Sequence, residues 1–116
     1  MRRTMLKSKI HRARVTVSDL HYEGSLGLDE DLMEAAGLVP YEKAHVYNVS
    51  NGARFSTYII REERGSGSVA IYGAAAHRAR PGDLLIIAAY AQFEETEIKE
   101  WRPKVVHVDS ENRVKS

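Results

Sequence analysis

Cysteine is absent from this chain of 116 residues. That excludes disulfides, cysteine-ligated zinc, iron–sulfur clusters and thiol nucleophiles, and it fits a reducing compartment. No apolar run approaches the roughly 18 residues that a membrane-spanning helix needs. The longest, Leu84–Tyr90, has the length and bracketing of a buried strand. Arg2-Arg3 begins the chain on a basic note, yet no apolar signal-peptide core follows, so a cytoplasmic location without membrane association is expected. A basic excess is missing as well. The formal net charge is +1, whereas a dedicated nucleic-acid binder carries clustered positive charge.

Cofactor signatures are equally scarce. Five histidines, at positions 11, 21, 45, 77 and 107, never fall into the HExxH spacing, so no metal is expected. Asp29-Glu30-Asp31 resembles the start of a calcium loop but lacks the later glycine and glutamate, and reads better as a helix N-terminus. Gly65-Ser66-Gly67-Ser68 lacks the Lys-Ser/Thr pair of a phosphate-binding loop, and no dinucleotide fingerprint occurs. Internal repeats, linkers and low-complexity blocks are also lacking, so residues 1–116 are expected to form one domain. A chain of this size buries roughly two-thirds of its unfolded surface, enough for one core.

What is present reads mainly as β-structure. Met5–Val17 alternates with a period of two, placing Ala13, Val15 and Val17 on one face and Arg14 and Thr16 on the other. Asp29–Ala36 predicts a short helix, with carboxylates in its first turn, Gly37 as its stop and Pro40 beyond. Ala44–Val49 and Arg54–Arg61 predict two strands joined at Asn51-Gly52, a strong hairpin signal. Val69–Tyr72, Leu84–Tyr90 and Lys104–Val108 predict three more strands. Glu94–Glu100 is compatible with a helical turn or two, and the polar tail from Glu111 is expected to fray. Short strands, Gly/Pro turns and one or two short helices suggest a small β-barrel.

Reactive chemistry is concentrated in few places. In His21-Tyr22-Glu23-Gly24-Ser25-Leu26, a serine hydroxyl follows a glycine and can attack the preceding carbonyl if the backbone is strained and the oxyanion is stabilised. The ester so formed can eliminate, cutting the chain and leaving an N-terminal pyruvoyl ketone, an electron sink for carbanion chemistry. Read locally, Gly24-Ser25 is far more often an ordinary turn. In Arg54–Tyr58, Arg54, Ser56 and Tyr58 share one strand face and Phe55 and Thr57 the other. Arg54 suits a carboxylate and Tyr58 a general acid, although a solvated arginine and a half-buried tyrosine on a hairpin would look the same. Lys9 and His11 share a face that can attract an anion or simply meet solvent. The small residues of Gly73-Ala74-Ala75-Ala76-His77 would let backbone N–H groups approach a ligand, or pack tightly at a barrel turn.

Together, "MLKSKIHRARVT", "DLHYEGS", "AAGL", "NGARFSTY", "ERGSG", "GAAAH", "PGDLLIIAAY" and "RPKVVHVD" closely resemble the pyruvoyl-dependent aspartate 1-decarboxylases, in order and spacing, from about Arg3 to Asn112. The resemblance implies a double-psi β-barrel assembled as a homotetramer, with active sites between neighbouring subunits. It implies a zymogen that cuts itself between Gly24 and Ser25 into a β chain of residues 1–24 and an α chain of residues 25–116. Ser25 then becomes a covalent pyruvoyl group, with no pyridoxal phosphate and no metal. L-aspartate would condense with it as a Schiff base and leave as β-alanine and CO2, a lyase reaction that feeds pantothenate and coenzyme A synthesis.

By the same resemblance Tyr58 is the proton donor, and Thr57 contacts substrate and assists cleavage by stabilising the oxyanion on Gly24. Gly73, Ala74 and Ala75 bind substrate through their backbone, Arg54 and Lys9 pair with carboxylates, and His11 lies near the pocket. Some relatives need a maturation factor. One position departs from the pattern: the residue before GAAAH is usually Asn, and here it is Tyr72. An aromatic ring there changes bulk and hydrogen bonding beside the pyruvoyl group, so a different acidic amino acid as substrate is a competing expectation. A non-catalytic β-barrel binding module is another. A nucleic-acid-binding barrel ranks behind both, since no basic stripe with interleaved aromatics is visible.

Overall fold

The structure, a computed structural model, describes residues 1–115. Among the described residues eight strands form one sheet: β1 (Arg2–Arg14), β2 (Val17–Asp19), β3 (Ser25–Asp29), β4 (Lys43–Asn48), β5 (Arg54–Glu62), β6 (Val69–Tyr72), β7 (Leu84–Glu94) and β8 (Lys104–His107). Their spatial order is β2-β6-β3-β5-β4-β7-β1-β8. Three pairs, β1–β8, β2–β6 and β3–β5, run parallel, and the rest are antiparallel. Two short α-helices, α1 (Glu30–Ala36) and α2 (Glu95–Ile98), and one 3-10 helix (Gly73–Arg78) complete the fold. GAAAH thus forms a third helical piece beyond the one or two expected, because Gly73 turns the chain sharply as β6 ends.

The strand predicted over Met5–Val17 breaks after Arg14. There Val15 N–H bonds Asp83 O at 2.9 Å and Thr16 N–H bonds Val69 O at 2.8 Å, so the chain leaves β7 and crosses to β6. Val17 therefore lies 42% exposed, while Ala13 and Val15 are buried. Alternation sees the polarity of a segment but not a change of partner. β3 escaped prediction for a related reason: all five of its residues are buried, so they show no alternation. The tail does not fray at Asn112. Its side chain accepts from Arg14 N–H at 2.8 Å and donates to Arg14 O at 2.8 Å and Gly67 O at 2.9 Å, and Val108 and Val114 pair beyond it. Ser116 lies outside the described residues.

The core explains where the reactive dipeptide sits. Leu26 is fully buried between Ile71 on β6 and Ile59 on β5, its partners in register on either side. Burying side chains of this kind contributes roughly 1.5–3 kcal/mol each, so this row fixes the strand that starts at Ser25. At the other end of β3, Asp29 is buried and caps α1, accepting from Asp31 N–H at 2.8 Å. It also accepts from Gly65 N–H at 3.0 Å and Gly67 N–H at 2.8 Å, tying down the loop before β6. Burial would raise the Asp29 pKa, but these donors outweigh it and hold the carboxyl below its ordinary value. α1 ends as expected, with Gly37 at φ 67°. β3 is therefore clamped at both ends.

Candidate active site

Ser25 opens β3 opposite Tyr72, the last residue of β6. It is 2% exposed, and its Oγ donates to Glu23 O at 3.3 Å. Directly beside it, Gly73 takes φ 75°, a conformation that favours glycine. A Cβ on Gly73 would lie 2.6 Å from Gly24 Cα, 2.8 Å from Gly24 N and 3.2 Å from Tyr22 O. Backbone here presses on backbone, which cannot move aside as a flexible side chain can. The glycine of GAAAH is thus required twice, by its φ and by the peptide it touches.

A cavity of about 290 Å³ opens at this junction, lined by Gly24, Phe55, Ser56, Thr57, Tyr72, Ala74, Ala75 and Arg78. Thr57 and Phe55 reach it from the inward side of β5, as their alternation predicts. Tyr58 is not in the wall. It lies on the outward face, 39% exposed, with its ring 6.4 Å from that of Tyr41. Its backbone is close nonetheless, because it precedes Ile59, the register partner of Leu26 on β3.

Tyr72 is held on two sides. Its hydroxyl donates to Glu62 Oε1 at 2.6 Å, and its ring lies 4.8 Å from that of Tyr22. Burial first, then the bond to Glu62 and its negative charge, push the Tyr72 pKa up to about 12. At neutral pH this phenol stays protonated and cannot serve as a base.

The remaining predicted residues gather elsewhere. On the outer face of the sheet, one row runs Lys9, Ala88, His45, Ser56 and the next runs His11, Ile86, Tyr47, Arg54. The Arg54 guanidinium sits 4.2 Å over the Tyr47 ring, and Tyr47 and Tyr90 join their hydroxyls at 2.8 Å. His11 stands edge-on to His107 at 5.5 Å. Burial, followed by the charges of Lys9, His107 and Arg12, lowers its pKa below 6.5.

Within one chain the structure therefore unites Gly24, Ser25, Thr57, Tyr72, Gly73, Ala74 and Ala75, and leaves Lys9, His11, Arg54 and Tyr58 outside the cavity wall, on an outward surface that meets it at Ser56. Arg78 is the cation that lines the cavity among the described residues, and sequence reasoning missed it. It missed Glu62 as well. In Ile60-Arg61-Glu62-Glu63-Arg64 nothing distinguishes that carboxylate from its solvated neighbours.

Fold and cavity together define a small β-barrel protein with a buried serine seated directly behind a pocket-lining glycine. For the fold, a rationally designed double-psi β-barrel protein superposes with a TM-score of 0.50 at 14% identity, covering 66% of this chain and 90% of its own. The chain belongs to the aspartate decarboxylase family, whose sequence profile matches residues 1–115. It is 55% identical to the aspartate 1-decarboxylase of Methylobacillus flagellatus over 116 residues, which is 100% of this chain and 92% of that protein. It is 57% identical to the aspartate 1-decarboxylase of Syntrophus aciditrophicus over 115 residues, or 99% of each.

Proposed function

We propose that this chain is a self-processing decarboxylase that converts L-aspartate to β-alanine and CO2, supplying β-alanine for pantothenate synthesis in the cytoplasm. The observation that carries the reading is the contact of Gly73 with Gly24 beside the buried hydroxyl of Ser25. Gly73 closes one side of the Gly24–Ser25 peptide, and the buried Ser25 hydroxyl is held one residue from the carbonyl it would attack by its bond to Glu23 O.

In the cleavage, Ser25 Oγ adds to the Gly24 carbonyl carbon and the C–N bond breaks as the hydroxyl proton passes to the Ser25 nitrogen. An ester replaces the amide. Thr57, in the wall of the same cavity, donates to the oxyanion that forms in between. Loss of the Ser25 Cα proton with rupture of the Cβ–O bond then frees the Gly24 carboxylate. Water converts the resulting dehydroalanine to a ketone with release of ammonia, giving residues 1–24 and a pyruvoyl-blocked 25–116 within one domain.

The donor set fits such a group: Ser25 is the first residue of a strand whose position the Leu26 row fixes. The pyruvoyl ketone supplies an electron sink for loss of the substrate's α-carboxylate. Around it, the backbone of Gly73–Ala75 binds substrate, Lys9 and Arg54 hold carboxylates, and Tyr58 delivers the proton that replaces CO2 on the α-carbon. His11, its pKa lowered, stands near them as a neutral group at pH 7. Since these outward residues stand apart from the cavity, copies of the chain complete the site for one another, in a homotetramer. Tyr72 in the cavity wall favours a second substrate reading, a different acidic amino acid.

Intact mass spectrometry under denaturing conditions, paired with CO2 release from aspartate and from glutamate, tests the whole reading. Two fragments and aspartate-selective release are expected. A chain that stays whole and releases nothing, with or without extract supplying a maturation factor, overturns it.

A further inference from the structure

Glu62 lies on β5 opposite Asp29, two residues along from the level of Gly27. Its side chain turns back over Gly27 to reach Tyr72 at the level of Ser25. Gly27 makes the room. A Cβ there would lie 2.7 Å from Glu62 Oε1, 2.8 Å from Cδ and 2.9 Å from Cγ. Its φ is not in the left-handed region that demands glycine, so space alone excludes a side chain. Glycine within a strand also weakens that strand, a cost that nothing in the pairing of β3 requires.

The space is used for one purpose. It seats a carboxylate that takes the Tyr72 hydroxyl at 2.6 Å. That bond turns the hydroxyl toward Glu62 and leaves the ring to line the cavity and to pack on Tyr22. Tyr22 stands two residues before Gly24, and its carbonyl lies 3.2 Å from where a Cβ on Gly73 would stand. A continuous line of contacts thus runs from Gly27 through Glu62, Tyr72 and Tyr22 to the peptide that is cut.

We propose that Glu62 is a positioning residue for self-cleavage: by fixing the Tyr72 ring it holds the Tyr22–Gly24 segment so that the Gly24 carbonyl stays before Ser25 Oγ. The inference rests on the self-processing reading above. Tyr72 then acts as a wall rather than as a proton donor to the reaction, and Gly27 belongs to the site although it touches no reacting atom.

The test follows full-length chain after cell-free synthesis, with intact mass spectra at successive times giving a first-order cleavage rate. Glu62→Ala and Tyr72→Phe each remove one partner of a hydrogen bond to a charged group, and each is expected to slow cleavage about tenfold. Glu62→Gln, whose amide oxygen still accepts from the phenol, retains most of the rate. Gly27→Ala displaces the Glu62 side chain and slows cleavage like Glu62→Ala, while Gly27→Ala combined with Glu62→Ala is no slower than Glu62→Ala alone. Thermal midpoints of the uncut variants stay close to that of an uncut Ser25→Ala chain, which separates positioning from unfolding.

Wild-type rates in Glu62→Ala and Tyr72→Phe, or a loss of rate that only tracks a loss of melting temperature, overturn the inference and leave self-processing intact. A wild-type chain that never cuts overturns both.

Discussion

The wall around Gly24 and the outer face of the sheet achieve order by opposite means. Beside Gly24, position is set by backbone: a strand paired on both sides from Ser25 onward, and a glycine at φ 75° where an added Cβ would fall 2.6 Å from Gly24 Cα. On the outer face, position rests on long side chains such as Lys9 and Arg54, stacked or half exposed, whose order costs entropy unless something covers them. The difference assigns labour. On the self-processing reading, a chain prepares its own peptide for cutting, because β3 and Gly73 take their places when it folds. On the proposed reading, substrate capture is left to a surface that another copy completes.

The sharpest way to break this contrast is Gly73→Ala, which combines a strained φ with a backbone clash. Cleavage should fall at least about a hundredfold, as expected when a reacting group is displaced by about an ångström, and intact mass spectra will show the uncut chain. Next in size is Asp29→Ala, which strands the N–H groups of Asp31, Gly65 and Gly67. It should cost about 2–3 kcal/mol in urea unfolding, as for lost bonds to a buried charge. The sign with pH follows from the lowered pKa: the Asp29 contribution is whole above its ordinary value of 3.8 and is lost as pH falls through the folded value.

On the opposite surface, Arg54→Ala should leave cleavage untouched while raising KM for aspartate about tenfold or more, the loss of one charge-assisted contact. Equal damage to both steps would erase the proposed division. Smallest of all, the His11 imidazole should titrate below 6.5 by NMR. Between its folded value and 6.5 the unfolded chain holds the proton and the folded chain does not, so His11 lowers stability as pH falls through that window. A midpoint above 6.5 would show a carboxylate brought to it by a partner copy.

The sequence revealed these two regions unevenly, for physical reasons. The β4–β5 hairpin is legible because Asn51-Gly52 and alternation both mark it, and Gly52 indeed takes φ 79°. Helix α1 is legible because its carboxylates and Gly37 are end signals fixed by local chemistry. β3 was hidden because a strand buried on both faces has no polar side to reveal it. Asn112 read as polar tail because its three bonds reach residues far away in sequence. The site divides likewise. Gly24, Ser25 and the GAAAH run stand out as short motifs, whereas Glu62 and Gly27 matter only through a contact between neighbouring strands. That Lys9 lies apart from Gly24 is a property of strand order, with β5, β4 and β7 between β3 and β1, and no local pattern encodes it.

One feature of strand order bears on the proposed cut. β1, thirteen residues long, pairs with β7 on one side and β8 on the other, and it lies wholly in the piece before Gly24. If the chain cuts itself as proposed, the fold then contains an interior strand that belongs to a separate molecule. Refolding then becomes a bimolecular event whose yield depends on concentration. The mature protein, once unfolded and diluted, would lose a partner that the uncut chain carries with it. In dilute solution, where the two pieces rarely meet again, its endurance would rest on the rate of unfolding.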